Sequence, residues 1–220
     1  MVPLNNGDMT MRHLWIGSLL MLVAAQAMAD CPGKDDVWAD QCFEAAGTSE
    51  RLRKAHLKKV KFDKSGHAVI TREPLELLAI DRQGIIKVPG IYFAGDFDYK
   101  DAEDGIGRFG EQRCGYFNVK TFQIVIPATY DQCQPFHAGQ AVVCNDCTRY
   151  CTEPECQDSV LAGERILALD ANNRELRPAW RRTVEDICKQ QGVLEETRIN
   201  RNSLYVRCKP DPADPFRKLQ

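Results

Sequence analysis

From residue 60 to residue 176 the apolar residues fall into short β-prone runs, and a recurring polar turn leads into each. Phe62-Asp63-Lys64-Ser65-Gly66 precedes His67-Ala68-Val69-Ile70. Ile80-Asp81-Arg82-Gln83-Gly84 precedes Ile85-Ile86-Lys87-Val88-Pro89. Phe117-Asn118-Val119-Lys120-Thr121 precedes Phe122-Gln123-Ile124-Val125-Ile126-Pro127, and a weaker copy, Leu169-Asp170-Ala171-Asn172-Asn173, precedes Arg174-Glu175-Leu176. An Asp or Asn at the turn entry bonds its own backbone, and a Gly or Asn takes the left-handed position that other residues resist. The flanking Ile, Val and Phe suit a pleated, half-buried surface. Pro89 and Pro127 cannot donate to a ladder and should each end a strand. The pattern predicts a mainly β body of stacked hairpins over 61–177.

The flanks have a different texture. Pro178 to Gln191 reads as a C-terminal helix, with Pro178 in its first turn, Gly192 as its stop, and Trp180, Val184, Ile187 and Cys188 on one face. Leu204-Tyr205-Val206-Arg207-Cys208 alternates like a closing strand, and three prolines follow Lys209 in a tail expected to fray. Ser49 to Val60 has the composition of a short helical segment before the repeats.

The N-terminus reads as an export signal. Arg12 and His13 precede an apolar run from Leu14 to Ala25, and Ala27-Met28-Ala29 offers an A-x-A cleavage site before Asp30. The run is shorter than the roughly 20 residues that span a bilayer, so a leader cleaved after Ala29 is expected rather than a membrane anchor. Met9 and Met11 are alternative starts, because no basic group precedes them. The expected organisation is a signal peptide over 1–29, a cysteine-containing segment over 30–60, the repeat region over 61–177 with a cysteine-rich insertion at 144–156, and a C-terminal helix, strand and tail over 178–220.

The best-preserved repeat runs Cys114-Gly115-Tyr116-Phe117-Asn118, then Ile124-Val125-Ile126-Pro127-Ala128-Thr129-Tyr130-Asp131, then Pro135-Phe136-His137-Ala138-Gly139-Gln140-Ala141-Val142-Val143. It resembles the WG-repeat family, whose units carry Trp-Gly-aromatic-Ile-Asp, a turn, Val-Ile-Pro, aromatic-Asp and a closing Phe-x2-Gly-x-Ala-x-Val. Ile80 to Phe109 resembles the same unit more loosely, through Gly84, Val88-Pro89, Phe97-Asp98 and Gly105-Ile106-Gly107-Arg108-Phe109. The namesake Trp is replaced by Cys114, and the turn at Thr121 lacks the usual Gly. The resemblance implies a stack of hairpins that builds a surface, with no shared catalytic residues.

Ten cysteines (Cys31, Cys42, Cys114, Cys133, Cys144, Cys147, Cys151, Cys156, Cys188 and Cys208) all follow the proposed cleavage site. An even set in an exported chain reads as a disulfide framework, whose connectivity spacing alone leaves open. Cys31 with Cys42 and Cys188 with Cys208 are the preferred terminal staples, each bracketing a local segment. Cys114, Cys133 and the four cysteines of 144–156 should pair among themselves and pin the insertion to the repeats. The spacing Cys144-x2-Cys147-x3-Cys151-x4-Cys156 also admits a zinc site or redox chemistry. Zinc ligands usually come as two pairs held further apart, and a redox pair needs a βαβ setting that is absent here, so bridges are favoured.

Charge and motifs narrow the function. Lys and Arg total 29 against 31 Asp and Glu, a net charge of -2 that gives no footprint for nucleic acid or anionic membrane. The acidic run Asp96, Asp98, Asp101, Glu103 and Asp104 lacks the spacing of a calcium loop. His56, His67 and His137 stand in no nucleophile motif, and no phosphate-binding Gly-rich loop occurs. Tyr92, Phe93, Phe97 and Tyr99 are candidates for a contact patch, or for alternation into the core. The expected protein is periplasmic or secreted, non-enzymatic and without cofactor. It binds an envelope protein or polymer through its repeat face, with no integral membrane segment after cleavage. The competing expectation is an envelope redox or metal-binding protein using the Cys144–Cys156 segment, expected as a loop. Mass spectrometry of the mature chain should find Asp30 as its first residue; an intact leader on the secreted product would refute the cleavage reading.

Overall fold

The computed structural model describes residues 31–93, 98–156, 158–189, 191–200 and 203–210. The expected leader with its cleavage after Ala29, and the tail beyond residue 210, lie outside them. Among the described residues sixteen strands follow in chain order: β1 (Val37–Trp38), β2 (Phe43–Ala46), β3 (Ser49–Leu52), β4 (His67–Arg72), β5 (Glu76–Asp81), β6 (Ile86–Ile91), β7 (Ile106–Phe109) and β8 (Cys114–Asn118), then β9 (Ile124–Tyr130), β10 (Gln132–Cys133), β11 (Ala141–Cys144), β12 (Cys147–Cys151), β13 (Ser159–Leu169), β14 (Trp180–Arg182), β15 (Val193–Asn200) and β16 (Ser203–Cys208). The chain is thus mainly β, with several sheets and five disulfides.

β4 to β9 form a continuous antiparallel meander, and β1 adds in parallel beside β4. The second large sheet runs β10-β11-β13-β12-β16-β15, with β14 beside β13 and a parallel pairing between β12 and β16. β2 and β3 form a separate hairpin.

The turn chemistry expected from sequence is present at four places. Asp81 Oδ1 accepts from the amides of Gln83 and Ile85, and Asp170 Oδ1 accepts from those of Asn172 and Arg174. Asp63 Oδ1 accepts from the His67 amide, and Asn118 Oδ1 accepts from those of Lys120 and Thr121. Gly66, Gly84 and Asn173 take positive φ, as such turns require. In the fourth turn the positive φ falls on Phe122, a bulky residue that ordinarily avoids it. Its ring is buried and stacks on Phe117 at 6.0 Å. The core that this ring enters also holds Ala79, Val88, Ile91 and Phe109. A second core, around Tyr116, Ile126, Phe136, Val143 and Leu167, draws side chains from both large sheets.

Four expectations need correction. Pro89 and Pro127 lie inside β6 and β9 rather than ending them, each at a point where the ladder shifts register. The helix expected over 178–191 is a single turn, α1 (Val184–Ile187), opened by a reciprocal Thr183–Asp186 cap, and Trp180–Arg182 is a strand paired with β13. The helical segment expected at Ser49–Val60 is strand β3 followed by a 3-10 turn over Lys54–Lys59. The cysteine-rich insertion is not a loop: Cys147–Cys151 is a strand held between β13 and β16.

Gly115 marks a close crossing of backbones, since a methyl group there would lie 2.4 Å from the Ile126 carbonyl oxygen. Gly115→Ala should destabilise the protein by about 1–3 kcal/mol through overpacking. The check is a urea titration, in which the midpoint falls while the slope is unchanged.

Candidate binding groove and its buried support

The charged centre of the molecule sits where the two large sheets meet. Asp98 (1% exposed) and Arg108 (8%) form a two-pronged ion pair, with Arg108 Nε donating to Asp98 Oδ1 and Nη2 to Oδ2, each at 2.9 Å. Arg108 Nη1 donates to the Cys133 carbonyl at 3.0 Å, and Arg149 Nη2 donates to the same oxygen at 3.1 Å. Strands β7, β10 and β12 therefore converge on one carbonyl. Burial, then the neighbouring Arg108 charge, holds Arg149 below the ordinary arginine range. The Tyr116 hydroxyl, pushed far up in pKa by burial, donates to the Gln134 carbonyl at 2.7 Å, and Arg108 lies over the Tyr92 ring at 5.1 Å. Sequence reasoning missed Arg108 and Arg149. The signal was available in Ile106-Gly107-Arg108-Phe109, where a charge interrupts an apolar strand that is buried throughout.

Beside this support, an open groove of about 510 Å³ crosses the meander. Leu78, Phe109 and Ala128 supply apolar lining, and Glu76, Arg72 and Arg113 supply charge. Arg72 ties the wall together, with Nη1 2.8 Å from Glu50 Oε2 and Nε 3.1 Å from Glu76 Oε2. Burial raises the Glu76 pKa; Arg72 pulls it down, and Glu111 pushes it up again. Glu76 Oε1 also accepts from the Gly90 amide at 3.0 Å. Gly90 and Gly110 both take positive φ where their backbones cross, with the Gly110 amide bonded to the Gly90 carbonyl at 2.9 Å. This crossing joins β6 to β7 beside the groove.

The ten cysteines form five bridges: Cys31–Cys42, Cys114–Cys133, Cys144–Cys147, Cys151–Cys156 and Cys188–Cys208. None is left as a free thiol. The insertion is not pinned to the repeats by a bridge, because its four cysteines pair within 144–156; its ladders to β13 and β16 hold it instead. Cys114 bonds covalently to β10.

The other candidates have local partners. His137 Nδ1 lies 2.7 Å from Glu103 Oε2 at the surface; the contact raises the histidine pKa and lowers that of the carboxyl. His67 lies 3.0 Å from Ser65 and 5.3 Å from the Phe122 ring, and His56 packs near Trp38. Burial, then Lys59 and Arg53, lowers the His56 pKa. Of the acidic run, Asp98 is spent on Arg108 and Asp104 accepts from the Gly139 amide, while Asp96 lies outside the described residues. Among the described residues, no group of three His, Cys, Asp or Glu is placed to hold a metal ion. Tyr92 and Tyr99 are partly buried and Phe93 is exposed, while Phe97 lies outside the described residues.

Among the described residues no helix is long and apolar enough to cross a membrane. No model of a known protein family, no curated protein and no solved structure matches this chain.

Removing Asp98 leaves a buried guanidinium without its counter-charge. Asp98→Asn should cost about 3–5 kcal/mol, and the paired apolar replacement Asp98→Leu with Arg108→Met should recover most of it. Equilibrium unfolding of the single and double variants measures the difference; an Asp98→Asn protein as stable as the wild type would remove the ion pair from its supporting role.

Proposed function

We propose that this chain is an exported, non-enzymatic binding or scaffold protein of the bacterial cell envelope, and that it grips a protein or envelope polymer in the groove over Leu78, Phe109 and Ala128. The observation that carries this reading is the groove itself. It combines an apolar floor with carboxylates and guanidinium groups at its edge, the mixture that lets a surface hold a partner by burial and select it by charge. The floor belongs to the antiparallel meander, so the strands that build the core would also build the binding face.

Two further features support the reading. All ten cysteines are spent in bridges, which persist in an oxidising compartment and leave no thiolate for metal ligation or exchange. The WG-like spacing of the turns is that of a surface-building repeat. Each turn is closed by its own Asp or Asn, which leaves the outer faces to vary without cost to the fold.

The test reverses two rim charges that support neither core. Glu111→Lys with Arg113→Glu should lower the recovery of crosslinked partner from intact envelopes by about tenfold or more, with an unchanged circular dichroism spectrum. Equal recovery of the same partner by both proteins would remove the groove as the binding face. Turnover of the wild type in a disulfide-reduction assay would replace the binding reading with a redox one.

A further inference from the structure

The groove over Leu78, Phe109 and Ala128 is unequally charged. Its lining, with the side chains bonded to that lining, holds five carboxylates among the described residues, on Asp40, Glu50, Glu76, Glu111 and Asp131. Two guanidinium groups, on Arg72 and Arg113, stand against them. Arg72 is divided among three acids, at 3.4 Å from Asp40, 2.8 Å from Glu50 and 3.1 Å from Glu76. Arg113 lies 3.8 Å from Asp131 and donates to the Thr129 carbonyl at 3.2 Å. Glu111 faces another carboxylate, that of Glu76.

Gly90 brings these two acids together. Its amide donates to Glu76 Oε1 at 3.0 Å, and Glu111 Cγ lies 3.4 Å from the place that a methyl group on Gly90 would take. Gly110 is bonded to Gly90 across the β6–β7 crossing, so Glu111, the next residue, is carried over the same spot. The two side chains come within hydrogen-bonding reach of each other. Two carboxyls so placed share a proton or repel. A cation brought from outside removes the conflict, and an anion deepens it.

The surroundings of the pair limit the kind of cation. Phe109 is buried, Ala128 packs in the same core, and Pro89 stands exposed at the groove's edge. An apolar floor beside two acids matches a side chain with an apolar stem and a charged head. Lysine and arginine have both, whereas a bare metal ion or an anionic polymer does not.

We propose that the occupant of the groove is a segment of a partner protein bearing lysine or arginine, with the aliphatic stem laid on the floor and the cation between Glu76 and Glu111. This rests on the reading of the groove as the binding face and names the chemistry that the face selects.

Random dodecapeptides displayed on phage and panned against the purified mature protein are the probe. The selected sequences should carry Lys or Arg beside apolar residues. Fluorescence anisotropy of a synthetic peptide of selected sequence gives its Kd. Replacing the basic residue by norleucine, which keeps the stem and drops the charge, should raise that Kd by about tenfold or more. Glu111→Gln in the protein should do the same without lowering the urea midpoint, because Glu111 faces a like charge. Gln112→Trp, at an exposed position on the groove wall, should block the peptide while leaving the circular dichroism spectrum unchanged. If Gln112→Trp blocks the peptide but either norleucine or Glu111→Gln leaves its Kd unchanged, the groove remains the binding face and the basic occupant is overturned. If the peptide binds the Gln112→Trp protein as well as the wild type, both readings fall. A library that yields no selected sequence also overturns the proposal.

Discussion

The Asp98–Arg108 pair fixes the guanidinium that reaches from one large sheet to the other, and a bridge, a core and a second arginine meet around that contact. Charges are costly to bury, and such a pair is stable only when its remaining donors find acceptors. Here both prongs of the guanidinium meet the carboxylate, and the third nitrogen reaches the Cys133 carbonyl on the other sheet. The second cation, Arg149, arrives on the same oxygen from β12. The chain passes from one sheet to the other between β9 and β10, and the Cys114–Cys133 bridge and the Tyr116–Gln134 bond lie beside that passage. A covalent bond, an ion pair and an apolar core thus act on the same few residues. The groove lies on the sheet that this junction steadies.

The same junction is crossed by a covalent bond at Cys114. Cys114 is opposite Tyr130 in the ladder and bonds to Cys133 just past the bend, so the hairpin is secured by a bond to the next sheet. The neighbouring Gly115 then leaves room for the β9 backbone to pass close by. The turn at Phe122 is the counterpart. There a ring stacked on Phe117 compensates a backbone conformation that glycine supplies in the first two turns.

What the sequence made legible was local. An Asp or Asn followed by a left-handed residue is a self-contained hydrogen-bonding unit, and Asp63, Asp81, Asn118 and Asp170 all behave as their neighbours predict. What it hid depended on distant partners. Cys147–Cys151 is polar and cysteine-rich, yet it becomes a strand because β13 and β16 lie on either side. Trp180–Arg182 has helical neighbours but pairs with β13, and the Thr183 cap then starts the helix too late to run beyond one turn. Gly47 turns Ser49–Leu52 back onto β2, which no periodicity within 49–60 reveals. The groove was hidden for the same reason. Glu76, Arg72 and Arg113 come from separate strands and a loop, and only the meander brings them to one face.

The bridges join cysteines strictly in chain order, first with second, third with fourth, and so on to the ninth with the tenth. No bridged loop encloses or crosses another, and the longest spans 20 residues. A chain that is threaded through a membrane pore from its N-terminus presents its thiols in this same order. Each thiol therefore meets its partner as the next one to emerge, before any later cysteine is there to compete. An oxidant that simply joins neighbours is sufficient, and no reshuffling step is needed to reach the native set. In a chain threaded this way, the covalent framework would be complete segment by segment while the later strands were still on the far side of the membrane.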